Sequence, residues 1–256
     1  MTVFLPFYTL WLREMVRFIR QKNRVFGALG QPLLFWLLFG SGFSASFRPS
    51  LSVEMGYLEY FFPGILTMIL LFTAIFSSFS IIEDRKEGFL QAILVSPAPR
   101  LSIVLGKVSG GATIALLQAL LFLCLAPLAH IQLTFWSVAA LILALWFLGL
   151  SLSAFGFCLA WRMDSVQGFH AIMMLILMPL LFLSGAFFPS TGLPLILKSL
   201  MAINPLTYGL SLIRHILYWN SPDLFLELPS LTLSLGILGV FSAVVLLISW
   251  MWVHRS

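Results

Sequence analysis

The sequence is short of charged residues: Asp, Glu, Lys and Arg make up only 9% of its 256 residues, whereas about a quarter of a soluble domain is charged. Hydrophobic residues make up 61% of the chain, and the mean hydropathy is +1.05. Because a water-soluble fold cannot bury so much apolar surface, the composition predicts a membrane protein. The length allows several membrane spans with short loops, but not a large soluble domain in addition.

Cysteines and catalytic motifs are also scarce. Cys124 and Cys158 fall in apolar runs, which predicts packing residues and not a disulfide framework. The four histidines lack metal-ligand spacing. No phosphate-binding loop is present, because the Gly-Lys pair at Leu105–Val108 lacks the upstream glycine and the following hydroxyl residue. We therefore expect no catalytic residue, metal or cofactor in this chain. We also expect no cleavable signal peptide, since charges are spread through the first 24 residues.

The basic balance of the chain has two explanations. The isoelectric point is about 9.6, which would suit a nucleic-acid binder. In a membrane protein, however, surplus Lys and Arg usually orient the helices. We therefore expect membrane lipids as partners, and no nucleic acid.

Long apolar runs predict an all-α membrane protein with six transmembrane helices in one domain, residues 1–256. The expected spans are 25–45, 60–82, 108–129, 135–160, 167–187 and 231–252. Between them lie a charged loop at 83–107 and an outer segment at 188–230. Of the 14 Lys and Arg residues, all but Arg48, Lys198 and Arg214 fall on one side of this topology. The positive-inside rule therefore predicts that both termini and the 83–107 loop are cytoplasmic.

Residues 1–24 combine basic and apolar side chains at helical spacing. Arg13, Arg17 and Arg20 form one stripe, and apolar residues lie on the other side. This pattern is typical of an amphipathic helix in the membrane surface, with its basic face toward lipid headgroups or a partner. A simple basic leader before the first span is an equally good interpretation.

The 83–107 loop begins with five consecutive charges, Glu83, Asp84, Arg85, Lys86 and Glu87. Placing them at the bilayer centre would cost about 12 kcal/mol, at roughly 2.5 kcal/mol each, so they lie in water or in a protein interface. After Gly88, the pairs Phe89–Ile93 and Leu90–Leu94 predict a short helix with one apolar face, and Pro97 ends it after Ser96. Such a helix lies on the membrane or docks in a groove of a partner.

The outer segment contains two apolar helix-like pieces, Pro194–Ile203 and Pro205–Trp219. Each is too short to cross a bilayer, so we expect surface helices or a re-entrant hairpin. Asn204-Pro205 predicts the turn between them.

Two stripes of small or polar residues lie inside the expected spans. Gly149, Ser153, Gly156 and Ala160 predict a close helix contact, as do Gly106, Gly110 and Gly111. Thr73, Ser77 and Ser80 form a mildly polar stripe that either faces a permeation path or bonds back to its own helix. Other candidate path-lining residues are Phe72, Phe76, Met173 and Leu177.

The charged loop and the outer segment together resemble those of ABC-2-type transporter permeases. The loop reads IIEDRKEGFLQAILVSPAPRLSIVLGKVSGG, with its charged Glu-Gly cluster, Ser-Pro and Leu-Gly-Lys. The segment Met178–Leu217 has Leu-Ser-Gly, Phe-Pro, Leu-Pro and Asn-Pro-Leu-Thr in the same order as the family. The sequence is most similar to drug-export permeases of the daunorubicin-exporter type.

The resemblance implies a permease dimer of two copies of this chain in the bacterial inner membrane, working with two separate ATPase subunits that bind ATP and Mg²⁺. It implies an ATPase-coupling element at Glu83, Asp84, Arg85, Glu87, Gly88, Phe89, Leu90, Ile93, Leu94, Ser96 and Pro97, with the N-terminal helix as a second contact. The expected activity is export of an amphipathic drug-like or lipid-like substrate. Alternatives are export of a polysaccharide or glycolipid, a non-transporting membrane scaffold, and a lipid-modifying enzyme.

Overall fold

A computed structural model describes residues 3–43, 56–187, 193–219 and 228–255. These residues form eleven α-helices and one short 3₁₀ turn, and they contain no β-strand. The helices are α1 Phe4–Arg20, α2 Lys22–Phe43, α3 Tyr57–Ser77, α4 Phe79–Lys86, α5 Phe89–Val95, α6 Arg100–Leu123, α7 Phe135–Trp161, α8 Val166–Phe182, α9 Leu195–Ile203, α10 Pro205–Leu217 and α11 Leu231–His254. The predicted all-α class is therefore confirmed.

Several helices begin where the sequence supplies a cap. Thr134 and Ser137 form a reciprocal capping box at the start of α7, and the Ser165 side chain accepts a hydrogen bond from the Gly168 amide in α8. Asn204 accepts from the Leu206 amide and Pro205 takes the first position of α10. Each arrangement satisfies or removes a backbone donor that the first turn leaves unpaired.

Four helical segments are long and apolar enough to cross a membrane in the described part of the chain. They are Tyr57–Lys86 (α3 continued by α4), Arg100–Leu123, Phe135–Trp161 and Leu231–His254. The pair α9 and α10, bent by 82°, makes a fifth if it is counted as one span. The apolar part of α2, Leu29–Gly40, and α8 are shorter. The six-span topology stays a prediction; the end of the first expected span, Arg48 and parts of 188–230 lie outside the described residues.

Several predicted boundaries differ from the structure, among them both ends of the third span and the end of the fifth, where α8 stops at Phe182. The third span was expected at 108–129, but α6 already begins at Arg100 and ends at Leu123, before the 3₁₀ turn Ala126–Ala129. Pro99 immediately precedes α6, where proline suits a helix start. The 83–107 segment is therefore not all loop, and Lys107 lies inside a helix.

The core is built around α3, which packs against α2, α6, α7 and α10. Its buried side chains include Phe61, Phe62, Ile65 and Leu66, all fully enclosed. Most of α10 is also buried, whereas α9 is largely exposed. Asn204 fixes the bend between them, because its side-chain amide also donates to the Leu180 carbonyl at 2.7 Å. A buried α10 favours the re-entrant form of the predicted outer hairpin over a pair of surface helices.

The predicted close contact along the small-residue stripe of α7 is confirmed. A Cβ on Gly156 would lie 2.9 Å from the Ile75 Cα and 3.0 Å from the Ile75 carbonyl oxygen. A Cβ on Gly149 would lie 3.4 Å from the Ala112 carbonyl oxygen. Glycine at position 156 lets α7 approach the backbone of α3, and at Gly149 α7 also lies in contact with the backbone of α6.

We expect Gly156→Ala to destabilise the protein, because the added methyl meets backbone atoms that cannot turn aside. Gly239→Ala in α11 is the matched control, since nothing lies within 4 Å of a Cβ there. Both variants share the intrinsic gain of alanine over glycine in a helix, so the difference between them isolates the steric clash, about 1–3 kcal/mol. Thermal unfolding of the two purified variants measures it. Equal melting temperatures would contradict the close contact.

Candidate functional site

Most of the charge of the described chain gathers at one end of the helical bundle, which we call the charged end. It comprises α1, α4, α5, the start of α6, the α7–α8 turn and the last turn of α11. Arg13 of α1 contacts Asp84 of α4, Arg85 of α4 contacts Asp164 in the α7–α8 turn, and Arg162 lies over the Trp252 ring of α11. These are the segments that the charge bias predicted on one side of the membrane.

Helix α1 lies against α6, and two glycines make the contact possible. A Cβ on Gly106 would come within 3.1 Å of the Phe7 carbonyl oxygen, and one on Gly110 would come within 2.8 Å of the Glu14 Cβ. The Trp11 indole also donates to Thr113 of α6 at 3.1 Å. This packing corrects the expectation of a simple leader, because α1 is part of the folded bundle.

The basic stripe of α1 turns toward the protein. Arg13 donates two hydrogen bonds to the Asp84 carboxylate, at 2.8 and 2.7 Å. Arg17 donates to Asp84 at 3.0 Å and to Glu83 at 2.7 Å. Arg20 alone of the three predicted interface arginines is exposed. Arg13 and Arg17, which were expected to face lipid headgroups or a partner, thus bind α4 of the same chain instead.

A buried lysine completes this arrangement from α6. The Lys107 ammonium lies 2.5 Å from a Glu14 oxygen and 3.2 Å from the Ser80 hydroxyl, and it also contacts Asp84. Asp84 is fully buried, and Glu14 and Lys107 are nearly so. We call Arg13, Glu14, Arg17, Glu83, Asp84 and Lys107 the ionic cluster. Its three cations and three anions balance, which buried charges require.

The ionic cluster raises the pKa of Arg13. Partial burial lowers the pKa of Arg13, but the hydrogen bond from Arg13 to Asp84 and the charges of Asp84, Glu14 and Glu87 outweigh that effect. The pKa of Arg13 is therefore raised above its usual value, and the guanidinium remains a permanent cation that fixes α1 to α4.

Sequence reasoning did not assign a role to Glu14 or Lys107. Glu14 is the only acidic residue of α1, and it lies on the inner side of the helix beside the arginine stripe. Lys107 stands between Gly106 and the Gly110–Gly111 pair, and it is the only charged residue of α6 after Arg100. Two signals in the sequence could have indicated a buried pair. Glu14 is a single acid in a basic helix, and Lys107 is a single lysine among small residues.

A second set of contacts ties α4 to the α7–α8 turn through Arg85. Its guanidinium donates to the Met163 carbonyl at 3.0 Å and to the Asp164 carboxylate at 3.1 Å, and it also binds the Trp161 carbonyl. Of the predicted coupling residues, Glu83, Asp84 and Arg85 therefore face inward and join helices. Glu87 is exposed and lies 4.0 Å from Arg17.

Helix α5 confirms the predicted short helix and its limits. Gly88 before it has φ +79° and ψ −5°, a left-handed conformation that favours glycine. At the other end the Ser96 hydroxyl bonds back to the Ile93 carbonyl at 2.7 Å, and Pro97 follows. The reversal at Gly88 lets α5 turn away from the axis of α4.

The two faces of α5 are placed differently from the prediction. The apolar residues Phe89, Leu90, Ile93 and Leu94 pack against the chain's own core, and the Arg13 guanidinium lies 3.8 Å from the centre of the Phe89 ring. The apolar face therefore packs mainly against the protein itself, and Leu90 and Leu94 also line a groove beside it. The opposite face is exposed: Gln91, Ala92 and Val95, with Val95 87% exposed.

Gly88→Ala tests the reversal before α5. Nothing lies within 4 Å of a Cβ at Gly88, so the cost comes only from the left-handed backbone, about 1–2 kcal/mol. We expect α5 to shift and the melting temperature of the purified protein to fall. Gly88→Asn is the matched control, because asparagine tolerates this conformation better, and we expect it to melt closer to the wild type. Equal melting temperatures for Gly88→Ala and the wild type would contradict the need for a left-handed residue here.

A cavity of about 290 Å³ opens beside the ionic cluster, between α1, α2, α3 and α8. Four of the candidate path-lining residues contribute to its wall: Phe72, Thr73, Phe76 and Ser77. Its remaining walls are mainly apolar, including Met68 and Met174, while Glu14 and Arg17 reach it at one end. The cavity suits a mostly apolar molecule.

The other three path candidates lie elsewhere. Met173 and Leu177 are fully buried in the core, and Ser80 accepts the hydrogen bond from Lys107. The polar stripe on α3 and α4 is also divided: Ser77 bonds back to the Ala74 carbonyl at 2.6 Å, whereas Thr73 donates to Gln118 of α6. Ser77 therefore both bonds back to its own helix and lines the cavity, whereas Thr73 lines the cavity and bonds across to α6; a permeation path along this stripe stays a prediction.

The described residues include no group of three or more His, Cys, Asp or Glu side chains placed to hold a metal ion. Within the same ranges, Cys124 is exposed and Cys158 is buried, and both are free thiols. At the charged end, charged side chains join α1, α4, α6 and the α7–α8 turn. One face of α5 is exposed.

Comparisons with known proteins identify the family. The ABC-2 type transporter family profile matches residues 6–218. A putative transport permease, ycf38, of Cyanophora paradoxa is 32% identical over 221 residues, covering 85% of this chain and 76% of its own. The inner membrane transport permease YadH of Escherichia coli K12 is 26% identical over 258 residues, covering 97% and 94%. The probable multidrug ABC transporter permease YbhR of the same strain is 28% identical over 178 residues, covering 66% and 48%.

Proposed function

The chain belongs to the ABC-2 type transporter family, and from this membership we propose that it is the permease subunit of an ATP-driven exporter. Two copies of the chain form the transmembrane unit, and two separate ATPase subunits bind ATP and Mg²⁺. The division of labour is supported by the sequence, which has no phosphate-binding loop. The permease contributes the path and the contact through which nucleotide-driven movement reaches it.

The observation that carries the proposal is the exposed face of α5. Gln91, Ala92 and Val95 project from a helix that is held from behind by the Phe89–Arg13 contact and the buried Leu90. The resemblance of this segment to the coupling loop of ABC-2 permeases implies a contact with the ATPase subunit, and this face of α5 is open to one. We assign this face to the ATPase subunit.

A movement of α5 reaches the other helices through two sets of ionic contacts made by α4. The ionic cluster joins α4 to α1 and α6 through Asp84, and Arg85 joins α4 to the turn between α7 and α8. A change of nucleotide in the ATPase subunits biases the permease toward one of its states because the contacts with α5 differ between them. The ionic cluster makes α1, α4 and α6 respond as one unit.

The charged end is assigned to the cytoplasm of a bacterial cell, with the permease in the inner membrane. The excess of Lys and Arg at this end supports the orientation, and YadH is named an inner membrane permease. In this orientation both termini and α5 are cytoplasmic, where ATPase subunits have access to ATP.

The substrate that we propose is amphipathic, either drug-like or lipid-like. The cavity beside the ionic cluster has walls of Phe72, Phe76 and methionine, which suit an apolar body. Polar contacts for the other end of an amphipathic molecule come from Glu14, Arg17, Gln31, Thr73 and Ser77. YbhR is named a probable multidrug permease.

Transport in inside-out vesicles tests the proposal. We expect the chain, co-expressed with the ATPase subunit, to co-purify with it and to drive uptake of a fluorescent amphipathic dye that stops when ATP is replaced by a non-hydrolysable analogue. Vesicles with a Walker-A variant of the ATPase subunit are the control. Isolation without any ATPase subunit, together with uptake that continues without ATP, would overturn the proposal.

A further inference from the structure

A second groove opens at the charged end, on the other side of α5 from α1. It has a volume of about 450 Å³ and lies between α5 and the ends of α7 and α11. Three arginines and two tryptophans form much of its wall: Arg85, Arg162, Arg255, Trp161 and Trp252. Leu90 and Leu94 of α5 supply an apolar side. No carboxylate is among its lining residues.

Two of the three arginines are placed to bind an anionic ligand. Arg85 is already bound to Asp164 and to backbone carbonyls of the α7–α8 turn. Arg162 is exposed and lies 4.5 Å from the centre of the Trp252 ring. Arg255 is exposed at the end of α11. Within the described ranges, neither Arg162 nor Arg255 makes an ion pair.

We propose that this groove binds the phosphate headgroup of an anionic phospholipid. Arginine matches phosphate oxygens with paired donors, and basic pockets between the ends of transmembrane helices suit anionic headgroups. Trp161 and Trp252 stand at the ends of two apolar helices long enough to span a membrane, where tryptophan usually marks the headgroup level. The groove thus combines the charge and the depth that a lipid headgroup needs.

The lipid is favoured over an acidic segment of the ATPase subunit for two reasons. First, the groove adjoins α11, whose outward side exposes Leu247 and Met251, so that acyl chains have an apolar surface beside the headgroup. Second, Ala92 and Val95 of the exposed α5 face do not line the groove, and Gln91 alone belongs to both. The proposed ATPase contact and the proposed lipid site therefore overlap only at Gln91.

The bound lipid would brace α5 against α7 and α11, because the groove lining draws on all three helices. This inference goes beyond the proposed function. The lipid site is argued from the groove alone, and its test does not require transport.

Lipid binding to the purified full-length chain tests the proposal. We measure retention of phosphatidylglycerol and phosphatidylcholine by native mass spectrometry, with inorganic phosphate as a separate probe. We expect phosphatidylglycerol to bind more tightly, and Arg162→Gln and Arg255→Gln each to weaken it about fivefold, the effect of one basic residue near an anionic surface. Lys86→Gln is the matched control: it removes a charge from an exposed position at the same end, outside the groove.

Four results would overturn the proposal. They are equal retention of phosphatidylglycerol and phosphatidylcholine, unchanged binding in both arginine variants, the same loss in Lys86→Gln, and displacement of the lipid by inorganic phosphate at equal concentration, which would indicate a free-anion site. If the arginine variants kept phosphatidylglycerol but lost the ATPase subunit in co-purification, the groove would belong to that subunit. Arg162→Lys, which keeps the charge, is expected to retain most lipid binding.

Discussion

Asp84→Asn is expected to cost about 3–5 kcal/mol of folding free energy, the usual effect of removing one partner from a buried ion pair. Asp84 is fully buried and accepts hydrogen bonds from Arg13, Arg17 and Lys107. Asparagine keeps the shape but not the charge, so three cations are left facing Glu14 and Glu83 alone. At about 2–4 °C per kcal/mol for a chain of this size, we expect the melting temperature of the purified protein to fall by roughly 10 °C.

Asp164→Asn is the matched control for this prediction. The substitution is the same, at the same end of the bundle, and Asp164 also pairs with an arginine, Arg85, at 3.1 Å. Its side chain is 90% exposed, and exposed pairs contribute little to stability. We expect its melting temperature to stay close to that of the wild type. A similar fall in both variants, or in neither, would contradict the structural role of the ionic cluster.

Ala92→Arg is expected to reduce ATP-dependent transport more than tenfold while leaving the protein folded. Ala92 is exposed on α5, so a long charged side chain there meets only solvent in the free permease, and surface changes of this kind usually alter stability by less than about 0.5 kcal/mol. In the assembled complex the same side chain would occupy the proposed contact with the ATPase subunit. Transport and substrate-stimulated ATPase activity are measured beside the melting temperature.

Gln167→Arg controls for the added charge. Gln167 is exposed in the first turn of α8, at the charged end but away from the outward face of α5. We expect this variant to transport at nearly the wild-type rate. If Ala92→Arg were fully active, or if both variants lost transport equally, the exposed face of α5 would not be the ATPase contact.

The helices were largely predictable from sequence because local signals define them. Long apolar runs predicted α7 and α11 within a few residues, and the Gly88 and Pro97 signals bounded α5. The small residues of α7 predicted its close packing, since glycine stripes have few other uses in an apolar helix. In each case the sequence pattern lies within the same segment as the structural feature that it predicts.

The interior of the charged end was not predictable in the same way. Lys107 and Glu14 are 93 residues apart in the chain, and no local pattern says which distant acid meets a buried lysine. The inward face of α5 was misplaced for a related reason: an apolar stripe looks the same whether it packs on its own chain, a partner or lipid. Met173 and Leu177 were likewise chosen for composition, and their burial depends on tertiary packing.

Site-specific cross-linking tests the central claim, that the outward face of α5 is the contact with the ATPase subunit. In a background with Cys124→Ser and Cys158→Ala, a cysteine is introduced by Ala92→Cys, or by Gln167→Cys as the control, and a short cysteine-to-lysine reagent is applied to the assembled complex. We predict a cross-link to the ATPase subunit from Ala92→Cys alone, with a yield that changes when ATP is added. An intact complex that cross-links from neither position, or only from Gln167→Cys, would contradict the claim.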